Sequence, residues 1–287
     1  MSGRGRVRGR RHNNQNNLTL ASVARETATS LAADSPVLAQ FKAAATKLTE
    51  RQDRNERLVK LSRDITIESK RIIFLLHSAI TKESSNPTIQ EAEERIQKLI
   101  QGPIKSIGLE LENSPAYLHN RAVTAGFQEF VEAWTFLTLM EKKEVITWKD
   151  VQSQLTYTVK VAKEDGDEER TVVTMLTPND YMLGIADMTG ELMRKAINSI
   201  SSGDSEECQD ACHVVRRLYI GYLGLCGFGR ELARKAPTTR ANVGKIEGAA
   251  YALRVRGGGA PAPLLLAPPP AAAAAGWDDL DDDEGYY

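Results

Sequence analysis

The sequence predicts an all-α protein, and three observations support this fold class. Serine or threonine followed by proline recurs at 35–36, 114–115 and 177–178, and this pairing commonly starts a helix. Apolar residues then follow at helical spacing. Only residues 156–176 show the alternation typical of strands. An apolar share of 41% is sufficient for a substantial core.

Composition also excludes several classes of protein. No apolar run approaches the ~20 residues of a membrane span, so we expect a soluble protein without a membrane partner. The first 17 residues contain no apolar segment that would act as a secretory signal. Three cysteines argue against a disulfide framework and indicate a reducing compartment.

The two ends of the chain differ from the body in composition and charge. Residues 1–34 carry six Arg against one Asp and one Glu, which predicts a disordered basic arm. This arm fits a nuclear signal, an RNA-binding tail or a solubilising tail. Residues 258–287 form an Ala/Pro-rich linker and an acidic tail, with five Asp, one Glu and no base. The body between them is nearly neutral, so most of the positive field for any nucleic acid would come from a partner.

The first two helices have clear start signals. Ser35-Pro36 opens a segment that runs to about Thr81. This length implies packing in a large helical bundle, because an isolated helix gains little stability in water. Thr88 with Glu91 forms a capping box that predicts the start of the second helix.

The central helices are marked in the same way. Ser114-Pro115 opens the third helix, which runs to about Lys143. Thr147 with Asp150 starts a short fourth helix.

An insertion and three further helices complete the body. Residues 156–176 alternate β-branched residues around a charged Asp-Gly centre, which predicts a hairpin-like insertion or a mobile loop. Thr177-Pro178 opens the next helix, the turn at 201–205 precedes another, and the last ends near Gly257. The body is therefore one domain over 35–257.

Two glutamates on the third helix are the first candidate functional residues. Glu129 and Glu132 lie about 60° apart on a helix that is apolar nearly all round, so both should be at least partly buried. Two like charges in a low dielectric are costly unless a proton or a cation neutralises them. The pair fits a metal or catalytic site, and it equally fits salt-bridged structural glutamates.

A second acidic pair lies on the helix that starts at 177–178. Asp187 and Glu191 are about 40° apart on one stripe, which also fits an ordinary solvated face. Lys195, one turn after Glu191, is the simplest salt-bridge partner. If the two pairs meet, their hard oxygens suit Mg²⁺ or Mn²⁺, which lower the pKa of a coordinated water and stabilise charge on a phosphate.

Other candidate sites are weaker. Cys208, Cys212 and His213 suggest a metal site, but one C-x-x-x-C without a second pair is incomplete for zinc, and cysteines buried in a helical core explain the pattern better. His77 is interpreted as a helix-end residue. Glu68 is a further carboxylate that could approach the acidic site.

Five bases of the first helix could track a phosphate backbone, or they could face a partner or solvent. These candidate RNA-binding residues are Arg57, Lys60, Arg63, Lys70 and Arg71.

Four blocks in a fixed order carry a family resemblance. "RLVKLSRDITIESKRIIFLLH", "FQEFVEAW", "DYMLGIADMTGELMRKAINSI" and "YALRVRG" resemble the translin family, and within it the branch of translin-associated factor X (TRAX). The resemblance covers roughly residues 35–257, with the insertion where that family also varies.

The resemblance implies a translin-like bundle of about seven helices and a hollow hetero-oligomer with translin, often an octamer. The family complex is a Mg²⁺-dependent endoribonuclease acting on single-stranded RNA, such as small-RNA passenger fragments or tRNA-precursor leaders. It implies a cytoplasmic and nuclear location, with DNA as a second candidate ligand. The family's catalytic and metal-binding carboxylates fall on Glu129, Glu132, Asp187 and Glu191 of this sequence.

Two functions from different classes follow. The first is the catalytic subunit of a metal-dependent endoribonuclease. The second is a non-catalytic scaffold that stabilises translin and binds nucleic acid. The complete set of four carboxylates favours the first.

Overall fold

A computed structural model of the chain describes residues 22–23, 35–79, 82–112, 114–163, 166–201 and 205–255. The predicted basic arm, apart from Ser22 and Val23, and the predicted acidic tail lie outside these residues. The described residues fall into two compact units, one up to Arg57 and one from Leu58 onwards. The second unit holds the candidate carboxylates, and it begins later than the boundary at residue 35 that the sequence suggests.

The described residues are mainly helical. The helices are α1 (Pro36–Ser78), α2 (Lys82–Leu99), α3 (Lys105–Leu111), α4 (Asn120–Lys142), α5 (Trp148–Gln154), α6 (Pro178–Ser201), α7 (Ser205–Leu223) and α8 (Arg230–Val255). A π-helical segment, Ile100–Ile104, joins α2 to α3, so these two form one kinked helix and the described body has seven. A 3₁₀ turn, Ala116–His119, precedes α4. The predicted all-α fold is confirmed.

Most of the predicted helix boundaries are present. Thr147 caps α5, since its hydroxyl accepts a hydrogen bond from the Asp150 amide. Helix α4 ends at Lys142, and its C-cap residue Lys143 adopts a left-handed conformation with φ 60°.

The predicted start of the second helix is wrong. Helix α2 begins at Lys82, six residues before Thr88, and it contains Pro87. Pro87 is the sixth residue of this helix, where proline removes one hydrogen bond within the helix without ending it. The Thr88–Glu91 pattern thus lies inside the helix.

Residues 156–176 contain an antiparallel hairpin of β1 (Thr156–Lys163) and β2 (Gly166–Val173), with Thr156 opposite Val173. The hairpin is anchored to the kinked helix. The Tyr157 hydroxyl donates to the carbonyl of Ile100 at 2.9 Å, and Thr174 donates to that of Ile104 at 2.9 Å. The kink lies at Gly102, which has non-helical dihedrals.

Two glycines let the helices that carry the acidic pairs approach closely. A Cβ on Gly126 of α4 would lie 2.8 Å from the Ser62 carbonyl oxygen of α1. A Cβ on Gly184 of α6 would lie 2.7 Å from the Gln128 carbonyl oxygen of α4. Each glycine lies about one turn before an acidic pair, so the close contacts set the spacing of α1, α4 and α6 beside those carboxylates.

The core of the second unit is formed by apolar side chains from most of its elements, including Ile72, Phe130, Phe136, Met188 and Ile246. None of the described helices is both long and apolar enough to cross a membrane.

Candidate functional site

The structure brings the four predicted carboxylates together. Glu129 and Glu132 of α4 and Asp187 and Glu191 of α6 line one cavity of about 780 Å³. Residues of α1 complete its wall, among them Phe74. Sequence spacing did not show that the two pairs face each other, and the close contact of α4 with α6 at Gly184 supplies the reason.

Glu132 is the most unusual member of the set. Its exposed fraction is 9%, and among the described residues no donor or cation pairs with its carboxylate. Burial raises the pKa of Glu132 to about 8, with further contributions from the charges of Glu129, Asp187 and Glu191. Its carboxyl group therefore needs a proton or a cation that these residues do not supply.

The other three carboxylates are held by bases from three helices. Lys70 Nζ of α1 lies 3.0 Å from Glu129 Oε1, and the pKa of Lys70 is raised by its hydrogen bond and charge interaction with Glu129. Lys235 Nζ of α8 lies 2.7 and 2.9 Å from the two oxygens of Asp187.

Glu191 has two partners. His77 Nε2 lies 2.6 Å from Glu191 Oε2, and Arg194 Nη1 lies 2.8 Å from the same oxygen. Lys195, the partner that the sequence suggested, instead pairs with Glu207 at 3.0 Å. The suggested Lys195–Glu191 pair is therefore wrong, because each of the two side chains forms its ion pairs with other residues.

Sequence reasoning missed two members of the site. His77 does lie at the end of α1, as interpreted, but its ring also packs 5.0 Å from that of Phe136 and contacts Glu191. It follows Lys70 by seven residues, two helical turns, and that spacing was a usable signal. Lys235 gave no local signal, because only the tertiary packing of α8 brings it to Asp187.

The predicted RNA-binding bases are exposed on α1. Lys70 forms an ion pair with Glu129, and Arg71 lies 3.3 Å from Glu68. The structure does not test the other three for RNA, namely Arg57, Lys60 and Arg63.

The weaker candidates do not join the site. Glu68 pairs with Arg71 and with Arg95 of α2, and it does not line the cavity. Cys208 and Cys212 are buried in the core, whereas His213 is exposed, so these three do not converge.

The donor set fits a hard divalent cation in chemistry. Four carboxylates line one cavity, the buried Glu132 forms no ion pair with the described residues, and the charge of Lys235 only partly offsets the raised pKa of Glu132. In the described part of the chain, however, no three carboxylate, histidine or cysteine side chains form a ready set of ligands for one ion. The basic partners of the outer carboxylates would have to be exchanged for a metal.

Fold and site together define a class: all-α proteins with an acidic cavity between neighbouring helices. Residues 53–257 match the Translin family, and the chain belongs to that family. It is 38% identical to Translin-associated protein X of Mus musculus over 237 residues, which is 79% of this chain and 81% of the mouse protein. It is 29% identical to the homolog of that protein in Schizosaccharomyces pombe over 215 residues, or 73% and 84% of the two chains.

Solved structures share the fold. AfC3PO, solved in complex with duplex RNA, matches with a TM-score of 0.55 and 22% identity, over 76% of this chain and 97% of that chain. Apo-NeC3PO matches with a TM-score of 0.56 and 19% identity, over 77% and 98%.

Proposed function

We propose that this chain is the catalytic subunit of a Mg²⁺-dependent endoribonuclease that cuts single-stranded RNA within a hetero-oligomer with translin, in the cytoplasm and nucleus. The observation that carries the proposal is the buried Glu132, which forms no ion pair with the described residues and shares one cavity with three other carboxylates. A site with excess negative charge repels an anionic substrate unless a bound cation neutralises that charge.

The four carboxylates share one part in this proposal. Glu132 and Glu129 would hold the cation from α4, and Asp187 and Glu191 would hold it from α6. A bound divalent cation supplies charge stabilisation at the phosphate and lowers the pKa of a water molecule. His77 orients the Glu191 carboxylate through its 2.6 Å contact. Lys70, Lys235 and Arg194, once exchanged, are positioned to contact phosphate oxygens.

The partner provides much of the affinity for RNA. The formal net charge of the chain is −1, and several bases at the site are already paired with carboxylates. Phosphate binding depends on lysine and arginine that displace counter-ions, so a basic partner is needed. The relatives named Translin-associated protein X support translin as that partner, in an octamer or another stoichiometry.

The test is cleavage of a labelled single-stranded RNA by the chain co-expressed with translin. We expect cutting with Mg²⁺ that is lost in EDTA and in Glu132→Gln. The matched control is Glu141→Gln, which changes an exposed glutamate on the same helix outside the cavity. If the Glu132→Gln complex assembles and still cuts the RNA, the active site lies elsewhere in the complex.

The alternative is a non-catalytic scaffold that stabilises translin and binds nucleic acid. One observation favours it: three of the four carboxylates already have basic partners, as structural residues do. No cutting under any condition, combined with loss of assembly in Glu132→Gln, would select the scaffold.

A further inference from the structure

Phe74 is exposed beside the acidic cavity. Its exposed fraction is 78%, although it lies on α1 between the buried residues Ile73 and Leu76. These neighbours make the core contacts of this turn, so packing within the second unit does not require an aromatic ring at 74. Single exposed apolar side chains are common on protein surfaces. It is the position of Phe74 in the lining of the carboxylate cavity that points to a ligand or partner.

Phe74 shares its cavity with charged side chains of two helices. Lys70 precedes it by one turn on the same face of α1, and Arg194 and Asn198 of α6 line the same cavity. One turn of helix is about 5.4 Å along the axis, a distance that a single nucleotide can bridge. The cavity therefore combines a carboxylate cluster, phosphate-binding cations and a free aromatic face.

This combination matches one kind of ligand. Proteins bind single-stranded nucleic acid through cations along the backbone and aromatic rings on which bases stack. The four carboxylates would repel an acidic peptide, and a small apolar ligand would not require the cations.

We infer that Phe74 forms a nucleobase-stacking subsite, on which a base of a single-stranded RNA rests while its neighbouring phosphate lies at the carboxylates. The inference rests on the proposed function for the identity of the substrate. Stacking accepts any base, so this subsite positions the strand without reading its sequence. It also favours unpaired RNA, because a base within a duplex has no free face.

Binding is measured with Ca²⁺ in place of Mg²⁺, so that a hard divalent cation is available to the carboxylates, and a gel confirms that the RNA stays uncut. The full chain, co-expressed with translin, is titrated with fluorescent single-stranded RNA under these conditions and followed by anisotropy. We expect Phe74→Ala to weaken binding about 5- to 100-fold. Phe74→Trp should retain binding, whereas Phe74→Leu, apolar but without a ring face, should weaken it as alanine does.

The matched control is Phe228→Ala. Phe228 is 83% exposed, lies between α7 and α8 and does not line the cavity, so its removal should leave RNA binding unchanged. Assembly of each variant is followed by size-exclusion chromatography with light scattering. An assembly defect in Phe74→Ala would assign the ring to a protein interface and overturn the inference.

A scan with abasic nucleotides locates the base. In the wild type, one or two abasic positions should weaken binding, and in Phe74→Ala the same positions should have no further effect. Equal affinity of wild type and Phe74→Ala, or equal affinity of the leucine and phenylalanine forms, would overturn the subsite.

The outcomes separate the subsite from the nuclease proposal. If the wild type cuts RNA and Phe74→Ala leaves the RNA affinity unchanged, the stacking subsite alone is contradicted. If the RNA affinity depends on Phe74 but the complex never cuts, the nuclease proposal is contradicted and the subsite stands. If the wild type does not bind single-stranded RNA, both are contradicted.

Discussion

Glu132 illustrates how one buried side chain can set the chemistry of a cavity. Burial is the main cause of its raised pKa, and the other three carboxylates add to the effect. If a cation binds as proposed, it would replace the proton of Glu132, and burying the charged carboxylate with neither present costs stability.

That cost predicts a pH dependence of stability. The pKa of Glu132 rises from 4.5 when unfolded to about 8 when folded, so between these values the folded state holds a proton that the unfolded state has released. Stability of the metal-free protein should therefore fall as pH rises through this window, by up to about 1.4 kcal/mol per pH unit. Glu132→Gln should remove this contribution. Unfolding of the EDTA-treated complex at pH 5 to 8 checks it, and parallel curves for the two proteins would contradict it.

His77 gives a second prediction at the residue scale. Its contact with Glu191 orients that carboxylate, so His77→Ala should weaken Mn²⁺ binding about 10- to 100-fold. His77→Gln, which keeps a donor, should lose less. Calorimetric titration of the assembled protein measures this, with the exposed His213→Ala as control. If His77→Ala binds Mn²⁺ with unchanged affinity, the role of His77 is limited to packing against Phe136.

Sequence predicted these residues unevenly. Glu129 and Glu132 could be predicted as at least partly buried because the apolar surroundings of α4 are visible in a single helix. His77 offered only its spacing from Lys70, and Lys235 offered no signal, because their contacts with Glu191 and Asp187 join residues 114 and 48 positions apart. Such contacts depend on how the helices pack.

At the scale of the elements, the crossing of α4 and α6 decides whether the site exists. Gly184 permits this crossing, since a side chain there would meet the backbone of Gln128. The buried Asp180 adds a polar link, because it accepts hydrogen bonds from Thr124 and from Gln128 of α4.

Gly184→Ala should separate the two helices. Its Cβ would lie 2.7 Å from a carbonyl oxygen and 2.8 Å from Val131 Cβ, and neither can move without a backbone shift. We expect a loss of about 1 to 3 kcal/mol in the free energy of unfolding.

The matched control is Gly244→Ala on α8, where nothing lies within 4 Å of the added atom. It should be neutral or stabilising by up to about 1 kcal/mol. Urea unfolding measures both variants, and equal midpoints would show that the α4–α6 crossing tolerates a side chain.

For the whole molecule, the fold class could be predicted because capping residues and proline mark most helices locally. The kink at Gly102 could also be predicted, because the dipeptide Gly102-Pro103 commonly breaks a helix. The early start of α2 at Lys82 could not, since Pro87 and Thr88 are local signals for a later start. Charge was also informative at this scale, since the near-neutral body indicated a dependence on a partner.

This dependence gives a further prediction. The chain without translin should bind single-stranded RNA at least ten-fold more weakly than the complex, because its formal net charge of −1 gives little overall attraction for phosphates. The affinity of the complex should fall steeply with added salt. Anisotropy titrations at two salt concentrations measure both effects. Full affinity of the isolated chain would contradict the need for a basic partner.

The ion pairs of the acidic cavity have a thermodynamic consequence. Lys70, Lys235 and Arg194 act as internal counter-ions, so a metal that occupies the carboxylates releases them toward the cavity. The same positive charges would then neutralise phosphates, and metal and RNA would each strengthen the binding of the other by the same factor. The site would thus keep its affinity for RNA low until the ion required for cutting is bound.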